Sequence, residues 1–409
     1  MTPTDRPALR AFLDGAAARQ VALLADLVRI PTDNPPGDCA PAAERVARLL
    51  EGLGFTVERH PVAAELVRAA GMLSATNLVV RRRFGEGKVV ALNAHADVVP
   101  PGDGWTTDPY GAEIRDGWMY GRGAAVSKSD IATYAFAILA LDHAGAGLRG
   151  SVELHVTCDE ETGGEIGPRL LLEQRITRPD LAVGAGFSYA VVNAHNGCLH
   201  LEVEVGGRSA HAARPWTGID ALAGATRILS ALYAWREGLA ARQSAIAGIG
   251  APQLTIGLIA GGINTNVVPD RVTFRLDRRI VPEEQPEAVE AELRGLIAAA
   301  AAQTPGLTAT VRRILLAAPL TPLPGGAALS ELLCAHASRV MGETIRTGGV
   351  PLYTDARHYA AAGVPIVLYG AGPRSIEEAN AHRADERVPL ADLHRATQAV
   401  ALTLADLLR

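Results

Sequence analysis

Cysteine is scarce in this 409-residue chain: only Cys39, Cys158, Cys198 and Cys334 occur, far apart and in no Cys-x-x-Cys pair. That scarcity excludes a disulfide framework, argues against a zinc site built on thiolates, and leaves the four as buried or inert thiols. Positive charge is not in excess either, because 39 Lys and Arg against 44 Asp and Glu give a formal charge of −5. There is no basic field to hold a nucleic acid. No apolar run reaches the ~20 residues of a membrane-spanning helix. The start, MTPTDRPALRAFLD, lacks the basic-then-apolar layout of a signal peptide. The expectation is a cytoplasmic protein with neither a membrane nor a nucleic-acid partner. No repeat or low-complexity tract is visible beyond an excess of alanine.

What is present is a chain 48% hydrophobic and long enough for two or three domains. AARQVALLADLVRI (17 to 30) has apolar residues at helical spacing and stops at Pro31. TNLVVRRR (76 to 83) and KVVALNAHADVVP (88 to 100) are β-branched runs bounded by turn residues. A helix over 129 to 144, the strand SVELHVTC and a helix over 165 to 174 follow. Interleaved strands and helices predict an α/β fold with a mostly parallel sheet, whose ligands sit beyond the carboxyl ends of the strands.

The texture changes after Gly197, where CLHLEVEVGG alternates with period two, as a sheet with one solvated face does. A helix from Asp220, the strands QLTIGLIAGG and DRVTFRLDRRI, a helix over 283 to 302 and TATVRRILL complete a β-α-β-β-α-β unit. This predicts a ferredoxin-like α+β insert over 197–314 between two parts of an α/β domain, 1–196 and 315–409.

Three polar groups follow apolar strands. His95 and Asp97 in NAHADVVP lie two apart at a strand end, so both side chains face the same way. One can bind a metal while the other orients it. Glu160 and Glu161 in DEETGG end a second strand, and His382 in NAHRADERV follows a third, VPIVLYG. A strand-end histidine is ordinarily a satisfied polar residue, and adjacent acids ordinarily form a solvated turn or serve a helix dipole. A parallel sheet, however, brings such strand ends together.

At these residues the chain resembles the M20 metallopeptidases, which include desuccinylases, acetylornithine deacetylases, aminoacylases and glutamate carboxypeptidases. NAHADVVP, DGWMYGRGAAVSK, DEETGG, GRSAHAARPWTGIDA, GGINTNVVPD, TDARHYAAAGVPIVLYG and AHRADE occur in family order across essentially the whole chain. The resemblance implies a zinc-peptidase-like catalytic domain, an inserted lid that makes a homodimer, and a divalent metal such as zinc, manganese or cobalt. It further implies that His95, Glu161 and His382 are ligands, with Asp97 orienting His95 and Glu160 serving as general base. His211, in the lid, corresponds to a group that polarises the scissile carbonyl in the partner subunit's active site. Asn266, Arg279 and Arg357 match positions near a substrate carboxylate or amide, and arginine suits bidentate carboxylate recognition. An ordinary interface salt bridge is the alternative for each arginine.

Two departures disturb the pattern. The family's GRGAxDxK reads GRGAAVSK here, with Val126 where an aspartate bridges two metals, and no acid stands near Gly184 to Gly186. The expectation is therefore one ion per chain. Asp130, one helical turn beyond Val126, is a candidate replacement ligand beside its plainer reading as a capping or solvated acid. GRGAAVSK also lacks the ending and spacing of a phosphate loop. Three functions stay open: an amide C–N hydrolase acting on a small carboxylate-bearing substrate, an aminohydrolase releasing ammonia from an aromatic amine, and a non-catalytic ligand-binding relative. Retention of Glu160 argues against the last.

Overall fold

The computed structural model describes residue 4, residues 6–144 and residues 147–409, so the first residues of the stretch read for a signal peptide lie outside the described part. The chain divides into two compact units. One comprises 1–193, 322–348 and 354–409, and the other 194–321 and 349–353. The sequence division gives 194–196, 315–321 and 349–353 to the α/β domain. They belong to the second unit because its strand Thr308–Ala317 runs past 314. Leu320 also exchanges backbone hydrogen bonds with His195, and Gly349 N–H reaches the Ala247 carbonyl at 2.8 Å.

An eight-stranded sheet runs in the order Val57–Pro61, Thr76–Arg83, Ser151–Thr157, Val89–His95, Leu181–Gly184, Ile366–Leu368, Val191–His195, Thr347–Val350. The four strands from Ser151–Thr157 to Ile366–Leu368 are mutually parallel. Val57–Pro61 and Thr76–Arg83 add antiparallel. Val90, Ala91, Leu92 and Ala94 are all buried, as a strand covered on both faces requires. Helix Lys128–Ala144 packs against Pro7–Val28 and Leu390–Leu407, and its Ile131, Tyr134, Phe136 and Ile138 are fully buried. Each such side chain contributes roughly 1.5–3 kcal/mol through area removed from water.

The register decides where the chemistry falls. His95 lies opposite Thr157, so NAHAD and DEETGG leave the sheet side by side at its carboxyl edge. A small sheet pairs Arg387–Pro389 with Trp118–Tyr120 and brings the AHRADE segment against GRGAAV.

The second unit has strands Gly197–Gly206, Gln253–Gly261, Arg271–Ile280 and Thr308–Ala317, antiparallel, with the third strand between the second and the first and the fourth on the outside. Helices Ala221–Glu237 and Pro286–Ala301 cover one face. Asp220 starts the first helix by accepting the amides of Leu222 and Ala223 at 2.9 and 3.0 Å, an N-cap that serves two otherwise orphaned donors. Among the described residues no helix is long and apolar enough to cross a membrane.

Candidate active site

The strand carrying His95 ends at that residue, so Asp97 lies just beyond it rather than within it. The two side chains nevertheless meet. His95 Nδ1 is 2.9 Å from the Asp97 carbonyl and 3.4 Å from its carboxylate, which orients the ring with Nε2 available as a ligand. The fully buried Asp97 carboxylate accepts the backbone amides of Glu160 at 3.3 Å and Glu161 at 3.1 Å. Asn34 Nδ2 donates to the same carboxylate at 2.9 Å. Sequence reading missed Asn34, whose turn-like TDNPPG context carries no sign of chemistry.

Glu160–Thr162 forms a single 3₁₀ turn. Asp159 supports it from beneath by accepting the Ile166 amide at 2.7 Å, and burial pushes its carboxyl up to about 7. Gly163 and Gly164 follow with φ of 119° and 69°, conformations that cost a side chain energy. A Cβ on Gly164 would also collide with Asp355 and His358. Asp355 is itself buried, and burial together with Glu160 and Asp159 pushes its carboxyl well up.

One ligand atom from each of His95, Glu160 and Glu161 lies within 4.8 Å of the other two. His382 Nε2 stands 3.4 Å from Glu161 Oε1. Two donors about 2.1 Å from one ion at a tetrahedral angle are roughly 3.4 Å apart, so this spacing suits a shared cation. The electrostatics agree. Burial alone would depress His95, but Asp97, Glu160 and Glu161 outweigh it and hold the imidazole well above its ordinary range. Glu161 does the same to His382. Burial, with Glu161 and Asp97, pushes the Glu160 carboxyl up to about 7 against the opposing pull of His95. A pocket that raises both histidine and carboxyl affinities for protons is one that favours added positive charge, and its nitrogen and oxygen donors fit a zinc-class ion.

The surroundings account for the two departures. Val126 packs against the core, and its amide and that of Ala125 donate to Glu386 Oε1 at 3.2 and 3.1 Å. Glu386 also forms a buried ion pair with Arg122 at 2.6 Å. This pair ties the GRG turn to the His382 loop, and sequence reading misses it because its members lie 264 residues apart. Gly184, Ala185 and Gly186 stand where the acid is missing; a Cβ at Gly184 would strike Leu368 and one at Gly186 the Tyr369 backbone, which leaves Ala185 as the one position of the three that carries a side chain. Asp130 is neither a cap nor solvated. It is buried, its Oδ1 accepts the Ala371 amide at 2.9 Å, and the Gly186 amide also contributes. Burial pushes its carboxyl up to about 7. Like His382, it is not one of the three residues whose donor atoms all lie within 4.8 Å of one another, and its Oδ1 is held by the Ala371 amide.

Arg357 is also turned inward. Its Nη2 donates to the Gly163 carbonyl and to Glu165 Oε1, the latter at 3.1 Å, so it braces the DEETGG turn. The remaining candidates lie in the second unit. His211 belongs to a two-residue strand paired with Val267–Val268, and the Ala212 amide donates to the Asn266 carbonyl at 3.0 Å. These two exposed candidates are thus neighbours. His211 Nδ1 accepts the Ala213 amide at 3.1 Å, which makes Nε2 the protonated nitrogen of the neutral ring. Arg279 grips Asp277 with Nε at 3.0 Å and Nη2 at 3.1 Å and lies over the Tyr353 ring.

Comparison with known proteins agrees with this geometry. Succinyl-diaminopimelate desuccinylase of Gluconacetobacter diazotrophicus is 30% identical over 100% of this chain and 99% of its own. Acetylornithine deacetylase of Myxococcus xanthus is 30% identical over 87% of this chain and 89% of its own. The fold matches a metallo-carboxypeptidase of Sulfolobus solfataricus at 17% identity, with a TM-score of 0.76 over 94% of this chain and 98% of that one. Residues 91–406 match Peptidase family M20/M25/M40, and with that span and those relatives the chain belongs to this family of metal-dependent hydrolases.

Proposed function

We propose that the protein cleaves an amide-type C–N bond in a small, carboxylate-bearing substrate, with Glu160 as general base. One observation carries the reading: Asp97 binds the amides of both Glu160 and Glu161, so a buried carboxyl near pKa 7 is anchored directly beside a ligand. A base is most effective when its pKa lies near the working pH. His95, Glu161 and His382 would hold one divalent ion. Such an ion, when bound, acidifies water and polarises a carbonyl. Glu160 accepts the water proton and returns it to the leaving nitrogen, which balances the reaction. His211, with its proton on Nε2, is suited to donate to the carbonyl oxygen as negative charge develops there.

The named relatives act on succinyl-diaminopimelate and acetylornithine, which favours removal of an acyl group from an amino acid. Dimerisation through the second unit has its own support. Gln253–Gly261 is an edge strand with Leu258 and Ile259 60% and 54% exposed, an apolar edge of the kind that proteins cover. A hydrolysis screen across N-acyl amino acids, dipeptides and aromatic amines tests the proposal. Release of a carboxylic acid from an N-acyl amino acid is expected. Turnover of aromatic amines alone, with ammonia as product, would replace this reading with an aminohydrolase, and binding without turnover would remove catalysis.

A further inference from the structure

The sheet of the second unit carries a group of side chains that hydrolysis does not use. Alternation along Gly197–Gly206 puts Cys198 and His200 on one face, while Leu199 and Leu201 pack under the helices. The register sets Asp277 directly opposite His200 and Arg279 opposite Cys198. Cys198 Sγ is 3.6 Å from Asp277 Oδ1, and His200 Nε2 is 3.2 Å from Oδ2. One ligand atom from each of the three lies within 4.8 Å of the other two. A cleft of about 490 Å³ opens beside them, lined in part by Gln253, Thr255 and Arg275.

We propose that Cys198, His200 and Asp277 bind a divalent ion of the zinc class, additional to the hydrolytic ion, with its fourth position open to this cleft. Thiolate, imidazole and carboxylate are the three donor types zinc takes from proteins, and two ligands on one strand with a third across the ladder converge on a single point. The apparent obstacle is Arg279, which already spans Asp277. A carboxylate has about four lone-pair positions, however, and the guanidinium uses two. The other two now face the thiol and the imidazole. An ion takes the place of those two hydrogens: the thiol proton leaves to solvent, the ring proton moves from Nε2 to Nδ1, and Asp277 retains Arg279. Cysteine spacing conceals such a site, because one thiolate contributes and its partners are a histidine two residues on and an acid 79 residues from the cysteine.

Cobalt(II) titration of the full-length protein after chelator treatment tests the site. Thiolate-to-cobalt charge transfer absorbs in the near ultraviolet, and the centre of His95, Glu161 and His382 has no sulfur to produce it. The band is expected in the wild type and absent from Cys198→Ser. His200→Ala retains the thiol and alters a half-exposed residue, so it guards against misfolding; its cobalt affinity at this band should fall at least roughly tenfold. Cobalt uptake without the band, a band that survives Cys198→Ser, or one unchanged in His200→Ala would each overturn the assignment.

Discussion

The Asp97 carboxylate accepts the Glu161 backbone amide at 3.1 Å while the Asp97 carbonyl meets His95 Nδ1 at 2.9 Å, so one residue joins two motifs 64 residues apart. Asp97→Asn keeps the shape, loses the charge and introduces a donor that faces two amides. Metal affinity at the His95 centre should fall by roughly 10–100-fold, as when other groups that orient ligands are lost. Competition with a chromogenic chelator measures it. Unchanged affinity would show that the ligands hold their geometry without Asp97.

Glu160 and Glu161 are adjacent, but their substitutions should differ in kind. Glu160→Gln is expected to lower kcat by at least roughly 10²–10⁴-fold with metal still bound. Glu161→Gln is expected to lose metal. Elemental analysis beside steady-state rates separates the two, and near-normal turnover in Glu160→Gln would remove that residue from the mechanism.

In the metal-free protein the stability contributed by the buried acids and His95 of the active site should fall as pH rises. Glu160 is pushed up to about 7 from an ordinary 4.5, so the folded state binds its proton more tightly and the associated stability fades between those values. Asp159 and Asp130 are also pushed up to about 7 and act in the same sense. His95 is raised above 6.5, and its contribution is full below that value and lost as pH climbs through the higher folded one. Bound metal replaces these protons, and its affinity rises with pH. Scanning calorimetry at pH 5.5 and 8 should show the Tm difference between loaded and chelated protein widening at the higher pH. A difference that narrows would contradict the assignment of the centre.

One hydrolytic ion is expected per chain, since neither Val126 nor Gly184, Ala185 and Gly186 supply the anions that two ions about 3.5–4 Å apart require. Metal analysis on Cys198→Ser isolates the hydrolytic centre, and anomalous maps place the ion. Two well-occupied sites between His95 and His382 would refute the count.

Leu258→Asp with Ile259→Lys should convert a dimer into a monomer. Both side chains are largely exposed on an edge strand, so the pair should cost the isolated fold little. Light scattering coupled to gel filtration reads the mass. A dimer that persists would place the interface elsewhere.

Sequence alone determined that His95, Glu160 with Glu161, and His382 each follow an apolar strand, because strand ends are marked locally by where β-branched runs stop. It likewise determined the β-α-β-β-α-β order of the second unit, since period and turn residues are local properties. Tertiary structure decided which of the polar residues remain available. Asp130 and Arg357 look like ligands or substrate contacts in one dimension, yet each faces backbone groups about 190 to 240 residues away in the chain, at Ala371 and Gly163. The grouping of Cys198 and His200 with Asp277 depends on strand register, which long-range pairing sets. Hydrogen-bond partners of buried polar groups are chosen by packing, and packing is specified by the whole chain rather than by any one stretch of it.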